Sequence, residues 1–247
     1  MAKKLKIQST FQRFEKKYLL TLAQYTALVD GMKPYLLPDE YGRYTICNLY
    51  YDTDNFQLIR TSLEKPVYKE KLRLRSYGVP GDGDNVFVEL KKKFHGVVYK
   101  RRVVMEVSEA MAYLSGTARP FQEGQISHEI DWFLASYHPT PKVFIAYDRE
   151  ALAGRDDSEL RVTFDTNLRW RGSELDLRRG DGGERFLPEN QILMEIKIPG
   201  TAPVWLGRLL SETGVFPTSF SKYGTCYRQN LVGQHPEQMK KEAPFCA

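Results

Sequence analysis

Cysteine and histidine are scarce in this 247-residue chain, which has three of the first and four of the second. Cys47, Cys226 and Cys246 are odd in number, widely spaced and free of any metal-ligand pattern. That excludes a disulfide framework and a zinc cluster, and favours free thiols in a reducing compartment. The histidines are scattered, and His95 reads as a turn residue rather than a catalyst. No apolar run approaches the roughly 20 residues of a membrane-spanning helix. The basic start, MAKKLKIQSTFQRFEKKY, lacks the apolar stretch of a signal peptide. The expectation is a cytoplasmic protein. There is no nucleophile elbow. The loops GVPGDGD (78–84) and RRGDGGE (178–184) do not open helices as a phosphate-cradling motif would, so both read as turns. Internal repeats and Pro/Ser linkers are also lacking. One domain over 1–232, followed by a polar tail over 233–247, is the simplest organisation.

What the chain does have is charge placed with strand parity. Successive strand residues point to opposite faces. Lys69, Lys71, Arg73 and Arg75 therefore share one face of a strand. So do Glu89, Lys91 and Lys93; Lys100, Arg102 and Glu106; Arg161, Thr163 and Asp165; and Glu195 with Lys197. The opposite faces are often apolar, as in Val86, Val88, Leu90 and in Ile192, Met194, Ile196, Ile198. A single strand of this kind is an ordinary half-exposed strand. Like charges at alternate positions repel one another, and water gives no reason to line them up. Five such strands point to a closed sheet with an ionic interior. Its guest would be a polyanion, bound bidentately by arginine and as a point charge by lysine. A net charge of +5 is modest on a surface but makes a strong anion trap inside a cavity.

The remaining elements follow from spacing. Strands are expected at Phe11–Leu20, Tyr44–Tyr51, Val67–Tyr77, Val86–Lys93, Val97–Val107, Val143–Arg149, Leu160–Thr166 and Ile192–Ile198. Thr21 and Gln24 form a capping box that opens a helix through Met32. Ser108 and Ser127 read as N-caps of helices near 109–115 and 128–137. Pro203 starts a short helix ending before Gly214. Among the acidic residues, Glu89 and Glu106 read as partners of neighbouring cations. Glu195, mid-strand among apolar residues, reads as the best ligand for a hard divalent ion, with Glu15 second. Magnesium and manganese often take only one or two carboxylates, completing the shell with substrate phosphates.

These segments resemble the VTC (vacuolar transporter chaperone) domain, the polyphosphate polymerase branch of the triphosphate tunnel metalloenzymes (CYTH-like). The opening strand FQRFEKKY carries Glu15 and Lys17, with Arg13 where the wider superfamily usually has a further glutamate. KLRLRSY supplies Arg73 and Arg75, VFVELKKK Lys91, and GVVYKRR Lys100. YDREA supplies Tyr147 and Arg149, LRVTFDTNL Arg161, LMEIKIPG Glu195 and Lys197, and FPTSFSKY Ser221 and Lys222 near a final strand. The resemblance runs from about Phe11 to Tyr227. It implies an α+β fold, an eight-stranded antiparallel β-barrel tunnel with a charged lumen and helices packed outside. It implies a metal-dependent polyphosphate polymerase that moves the ATP γ-phosphoryl group to a growing chain and releases ADP, with Mn2+ or Mg2+ as cofactor. Lys17, Arg73, Arg75, Lys91 and Lys197 would surround the reacting phosphates. Lys100, Tyr147, Arg149, Arg161, Ser221 and Lys222 would bind the rest of the anion, and Glu195 and Glu15 the metal. An inorganic or nucleoside triphosphatase with the same tunnel and a non-catalytic polyphosphate-binding module are the alternatives. Nucleic acid is disfavoured by the interleaved glutamates. Two departures stand out. Ser219 replaces a lysine common in eukaryotic members. The phosphate-sensing domain and membrane anchor of those members have no counterpart in this sequence, so a membrane-protein partner is not legible.

Overall fold

The computed structural model describes residues 13–95, 97–118, 124–157 and 159–232. Its elements run β1 (Arg13–Thr21), α1 (Leu22–Met32), β2 (Leu36–Asp52), α2 (Gln57–Leu63), β3 (Tyr68–Tyr77), β4 (Asn85–Phe94), β5 (Val97–Glu106), α3 (Val107–Leu114), α4 (Gln125–Tyr137), β6 (Thr140–Gly154), β7 (Arg161–Arg171), β8 (Glu184–Arg185), β9 (Gln191–Pro199), α5 (Val204–Glu212) and α6 (Lys222–Cys226). A π-helical turn, Tyr227–Leu231, follows α6. The polar tail expected over 233–247 lies outside the described residues.

One sheet carries the strands in the order β1-β9-β7-β6-β2-β3-β4-β5, with β8 attached to β7. The pairings β1–β9, β9–β7, β2–β3, β3–β4 and β4–β5 are antiparallel. The path thus has the expected eight strands but is open, with β1 and β5 at its ends, so among the described residues the closed barrel expected from charge parity is not formed by strand pairing. At β1 the reason is local. One edge is taken by β9, while Lys17 on the other edge bridges to Thr218, whose N–H donates to the Lys17 carbonyl at 2.7 Å.

The chain divides into two compact units. The first draws on the chain up to Arg43, on Arg149–Thr166 and on Glu189–Ser219. Its core packs Leu28 and Met32 of α1 and Leu206 of α5 against Val162, Phe164, Met194 and Ile196 of the strands. Helix α1 starts where the sequence indicates. Thr21 Oγ1 accepts from the Gln24 N–H at 3.2 Å, and Gln24 Oε1 accepts from the Thr21 N–H at 3.0 Å. Tyr35 stacks on Trp205 with centroids 4.1 Å apart, closing the end of this core.

The second unit holds Tyr44–Asp148, Asn167–Pro188 and the chain from Phe220. Val86, Val88 and Leu90 are fully buried, as their parity demands, against Leu72, Leu74, Tyr113, Ile130 and Phe133. Each such side chain taken from water contributes roughly 1.5–3 kcal/mol. Cys47 and Cys226 are buried free thiols. No helix among the described residues is long and apolar enough to cross a membrane.

Several boundaries differ from the sequence reading. Strand β2 starts at Leu36 rather than Tyr44, because Pro38 and Gly42 sit inside it. Gly42 has φ +62°, a left-handed kink that breaks the apparent strand pattern. The caps of α3 and α4 are Glu106 and Gly124, not Ser108 and Ser127. Ser127 still serves the α4 terminus from its third position, accepting the Gly124 N–H at 2.8 Å. Ser221 and Lys222 open helix α6 and do not flank a final strand.

Candidate functional site

The proposed site residues fall on both units. In the second unit the strand register turns parity into a grid. Across β2, β3, β4 and β5, one row reads Asn48, Arg75, Phe87, Val104 and the next Tyr50, Arg73, Glu89, Arg102. A third row sets Lys71 beside Lys91 and Lys100, and a fourth Lys69 beside Lys93. Directly opposed residues share a face. This face therefore brings together eight cations, with Glu89 among them.

Glu89 is only 1% exposed and lies at the centre of that grid. It accepts from Arg73 Nε at 2.8 Å, pairs with Lys100, and lies 3.7 Å from Arg75 Nε. Burial pushes its carboxyl up, but Arg73, Arg75 and Lys100 together outweigh burial and hold it down at about 2. The ion-pair reading of Glu89 is correct. Glu106 lies exposed where β5 gives way to α3. Arg75 also donates to Asn48 Oδ1 at 2.9 Å and to the Tyr147 hydroxyl at 3.3 Å. Arg73 donates to the Tyr50 hydroxyl at 3.2 Å. Lys222 is buried with its ammonium 4.4 Å from the centre of the Tyr147 ring, a cation–π contact. Lys71 donates to Ser221 Oγ at 3.1 Å. Arg73, Arg75, Lys91, Lys100, Tyr147, Ser221 and Lys222 thus belong to one unit. Asn48, Tyr50 and Lys71, given no role from sequence, join them. Their signal is positional, since each lies beside an arginine or lysine once the register is known.

The first unit carries a smaller grid. Lys17, Glu195 and Thr163 form one row of β1, β9 and β7, and Glu15, Lys197 and Arg161 the next. Opposite charges alternate in both directions across β1 and β9. Lys17 Nζ is 3.5 Å from both Glu15 and Glu195. Arg149 makes a bidentate pair with Asp165, at 2.6 and 2.7 Å, and lies 3.9 Å from Glu195. Asp165 is fully buried, and this partnership was not legible in the sequence. Arg161 is exposed, although parity puts it on the same face.

The donor set around Glu195 fits a hard divalent cation. Glu195 is 7% exposed. The side chain opposite, Thr163, has a buried hydroxyl oxygen with no hydrogen-bond partner. An orphaned buried oxygen is costly unless something else satisfies it. Carboxylate and hydroxyl oxygens are what magnesium and manganese accept. No group of three or more His, Cys, Asp or Glu side chains arranged to hold a metal occurs among the described residues. The protein would therefore offer one or two carboxylates, Glu195 and Glu15, and leave other positions to phosphate or water.

Comparison with known proteins gives a consistent result. A Bacillus halodurans crystal structure described as a candidate adenylate cyclase superposes with a TM-score of 0.53 at 15% identity, over 89% of this chain and 95% of that one. At that identity the likeness concerns fold alone. The vacuolar transporter chaperone complex subunit 4 of Schizosaccharomyces pombe is 25% identical, over 68% of this chain and 29% of that protein. The chain matches less than a third of that relative's length. The VTC domain model matches residues 12–231 and so runs through both units. This chain belongs to the VTC domain family.

Proposed function

We propose that this protein is a metal-dependent polyphosphate polymerase acting in the cytoplasm, with ATP as phosphoryl donor. The observation that supports this most is the eight-cation face of the second unit, with the buried Glu89 at its centre. A face so charged favours a polyanion. A terminal oxygen of the growing chain attacks the γ-phosphorus of ATP, the bond from that phosphorus to the β–γ bridging oxygen breaks, and ADP leaves. Such transfers need positioning and charge neutralisation more than a protein nucleophile. Arg73, Arg75, Lys91, Lys100 and Lys222 hold phosphate oxygens in the second unit. Lys17, Lys197, Arg149 and Arg161 do so in the first. Tyr147 and Ser221 orient Lys222 and Lys71 respectively. Glu195, with Glu15, would hold Mn2+ or Mg2+, which supplies charge neutralisation to the phosphate oxygens.

The direct test is incubation with ATP and manganese, scored together for ADP and acid-labile polymer. ADP with polymer is the expected result. ADP with free phosphate and no polymer would make the protein a triphosphatase. Tight polyphosphate binding without ADP would make it a binding module.

Two further results are expected at the phosphate contacts. Arg75→Ala should weaken tripolyphosphate binding about tenfold, because a charge-assisted contact is worth roughly 1.5–3 kcal/mol. Arg161→Ala should cost less, since an exposed cation acts through water. Calorimetric titration of both variants checks this, and an unchanged affinity in Arg75→Ala would remove that residue from the site.

The second concerns pH. Burial draws the Lys100 ammonium down to about 8 against the pull of Glu89, with Arg73 and Arg75 adding to the fall. Lys100 is then a charged contact at pH 7 and largely neutral at pH 9. Tripolyphosphate affinity should drop across that interval, and by less in Lys100→Met. Comparing the two profiles cancels the ligand's own ionisation. Parallel profiles would show that Lys100 does not touch the anion.

A further inference from the structure

Asp52, at the end of β2, is fully buried and forms no ion pair among the described residues. Its carboxylate is satisfied by four donors. Oδ1 accepts from the N–H groups of Thr53 at 2.8 Å and Leu58 at 2.9 Å. Oδ2 accepts from the Ile59 N–H at 3.0 Å and from the Tyr223 hydroxyl at 2.9 Å. Three of these donors belong to the turn and first residues of α2, which Asp52 caps from a distance. The fourth belongs to a different part of the chain.

Tyr223 follows Lys222 directly. Its ring stacks on Tyr50, with centroids 4.9 Å apart. The Tyr50 hydroxyl in turn accepts from Arg73. Helix α6 has five residues and runs on into the π-helical turn. Its start is held by the Ser221 hydroxyl, which accepts from the Gly224 N–H at 3.2 Å, and by side-chain attachment to the rest of the unit: Lys71 to Ser221, Lys222 over Tyr147, and Tyr223 to Asp52 and Tyr50. The attachment to Asp52 is buried, as is the Lys222–Tyr147 contact. A hydrogen bond at a buried site cannot be exchanged for one to water, so losing it leaves a buried oxygen short of a partner.

We propose that Asp52 is a positioning residue for phosphate binding, which through the Tyr223 hydroxyl fixes Lys222 over Tyr147. This rests on the reading of Lys222 as a phosphate contact. It differs from a purely structural role, in which Asp52 only caps α2 and Tyr223 only fills space.

The test is tripolyphosphate binding by calorimetry without metal, on the full chain, for Tyr223→Phe, Lys222→Ala and the double variant. Phenylalanine keeps the ring and its stack and removes only the attachment to Asp52. Tyr223→Phe should bind about fivefold to tenfold more weakly than wild type. Lys222→Ala should lose at least tenfold, and the double variant should bind no worse than Lys222→Ala, because Tyr223 acts through Lys222. Wild-type affinity in Tyr223→Phe would overturn the proposal, as would a Tyr223→Phe loss that persists in full on the Lys222→Ala background. Wild-type affinity in Lys222→Ala would instead overturn the phosphate reading of Lys222. Asp52→Asn gives a second route should Tyr223→Phe fail to fold. It keeps an oxygen for Thr53 and Leu58 but weakens the link to Tyr223, and its loss of affinity must likewise vanish when Lys222 is absent.

Discussion

Glu195→Gln should lower metal-dependent ADP release by about a hundredfold or more, while tripolyphosphate binding without metal persists. Changes one shell further out at metal sites already cost 10–100-fold, which sets the lower bound. Glutamine keeps the shape and an acceptor oxygen but removes the charge a divalent ion requires. Metal-free binding could only gain, since a negative charge leaves the neighbourhood of an anion. The competing role for Glu195 is a structural ion pair with Lys17 and Arg149, at 3.5 and 3.9 Å. That role would make the variant unstable by several kcal/mol if either cation were stranded. Neither is: Arg149 retains its bidentate hold on Asp165, and Lys17 retains Glu15. A melting temperature close to wild type, with ADP release lost, is therefore the expected pair of results. Wild-type ADP release from a folded variant would end the metal assignment.

Arg149→Ala should destabilise the first unit by about 3–5 kcal/mol, the cost of leaving a buried charge uncompensated. Asp165 is fully buried, and both of its oxygens take hydrogen bonds from Arg149. Each kcal/mol shifts the melting point of a domain this size by roughly 2–4 °C, so a fall of roughly 10 °C should be visible in a thermal scan. The double variant Arg149→Ala with Asp165→Asn should recover much of the loss, because the stranded charge is then gone. A single variant that melts like wild type would show that Asp165 finds other compensation. The melting curve also guards interpretation: Arg149→Ala would score as a binding defect in any activity screen, even if its main effect were on folding.

The strand faces were legible in the sequence because parity is local. The apolar sides of β4 and β9 follow from Val86, Val88, Leu90 and from Ile192, Met194, Ile196 without reference to any other strand. That Glu89 would pair with basic neighbours across the sheet was legible, but which cations it takes depends on register. Features that depend on register or on distant chain were not legible. Arg149 and Asp165 are both strand residues of ordinary appearance, and only the packing of β6 and β7 residues makes them a bidentate pair. Helix α2 has seven residues and is capped by a side chain five residues ahead of it, so no capping signature marks it. Phe56 before it adopts φ +59°, which no propensity scale favours for an aromatic residue. Closure of the sheet was inferred from charge, yet charge parity dictates which face is polar and says nothing about whether the last strand finds the first.

Glu89 has a consequence for how firmly any guest can be gripped. An acid permanently seated among Arg73, Arg75 and Lys100 behaves as a resident competitor. On the proposed function, every incoming phosphate would share those three cations with a carboxylate that is covalently unable to depart. The empty face is thereby spared the full repulsion of its own positive charges, and the occupied face is denied the deepest well it could have offered. A storage protein would gain by discarding such a residue. A catalyst that must let each newly lengthened chain move on would gain by keeping it, because a shallow well is quick to leave.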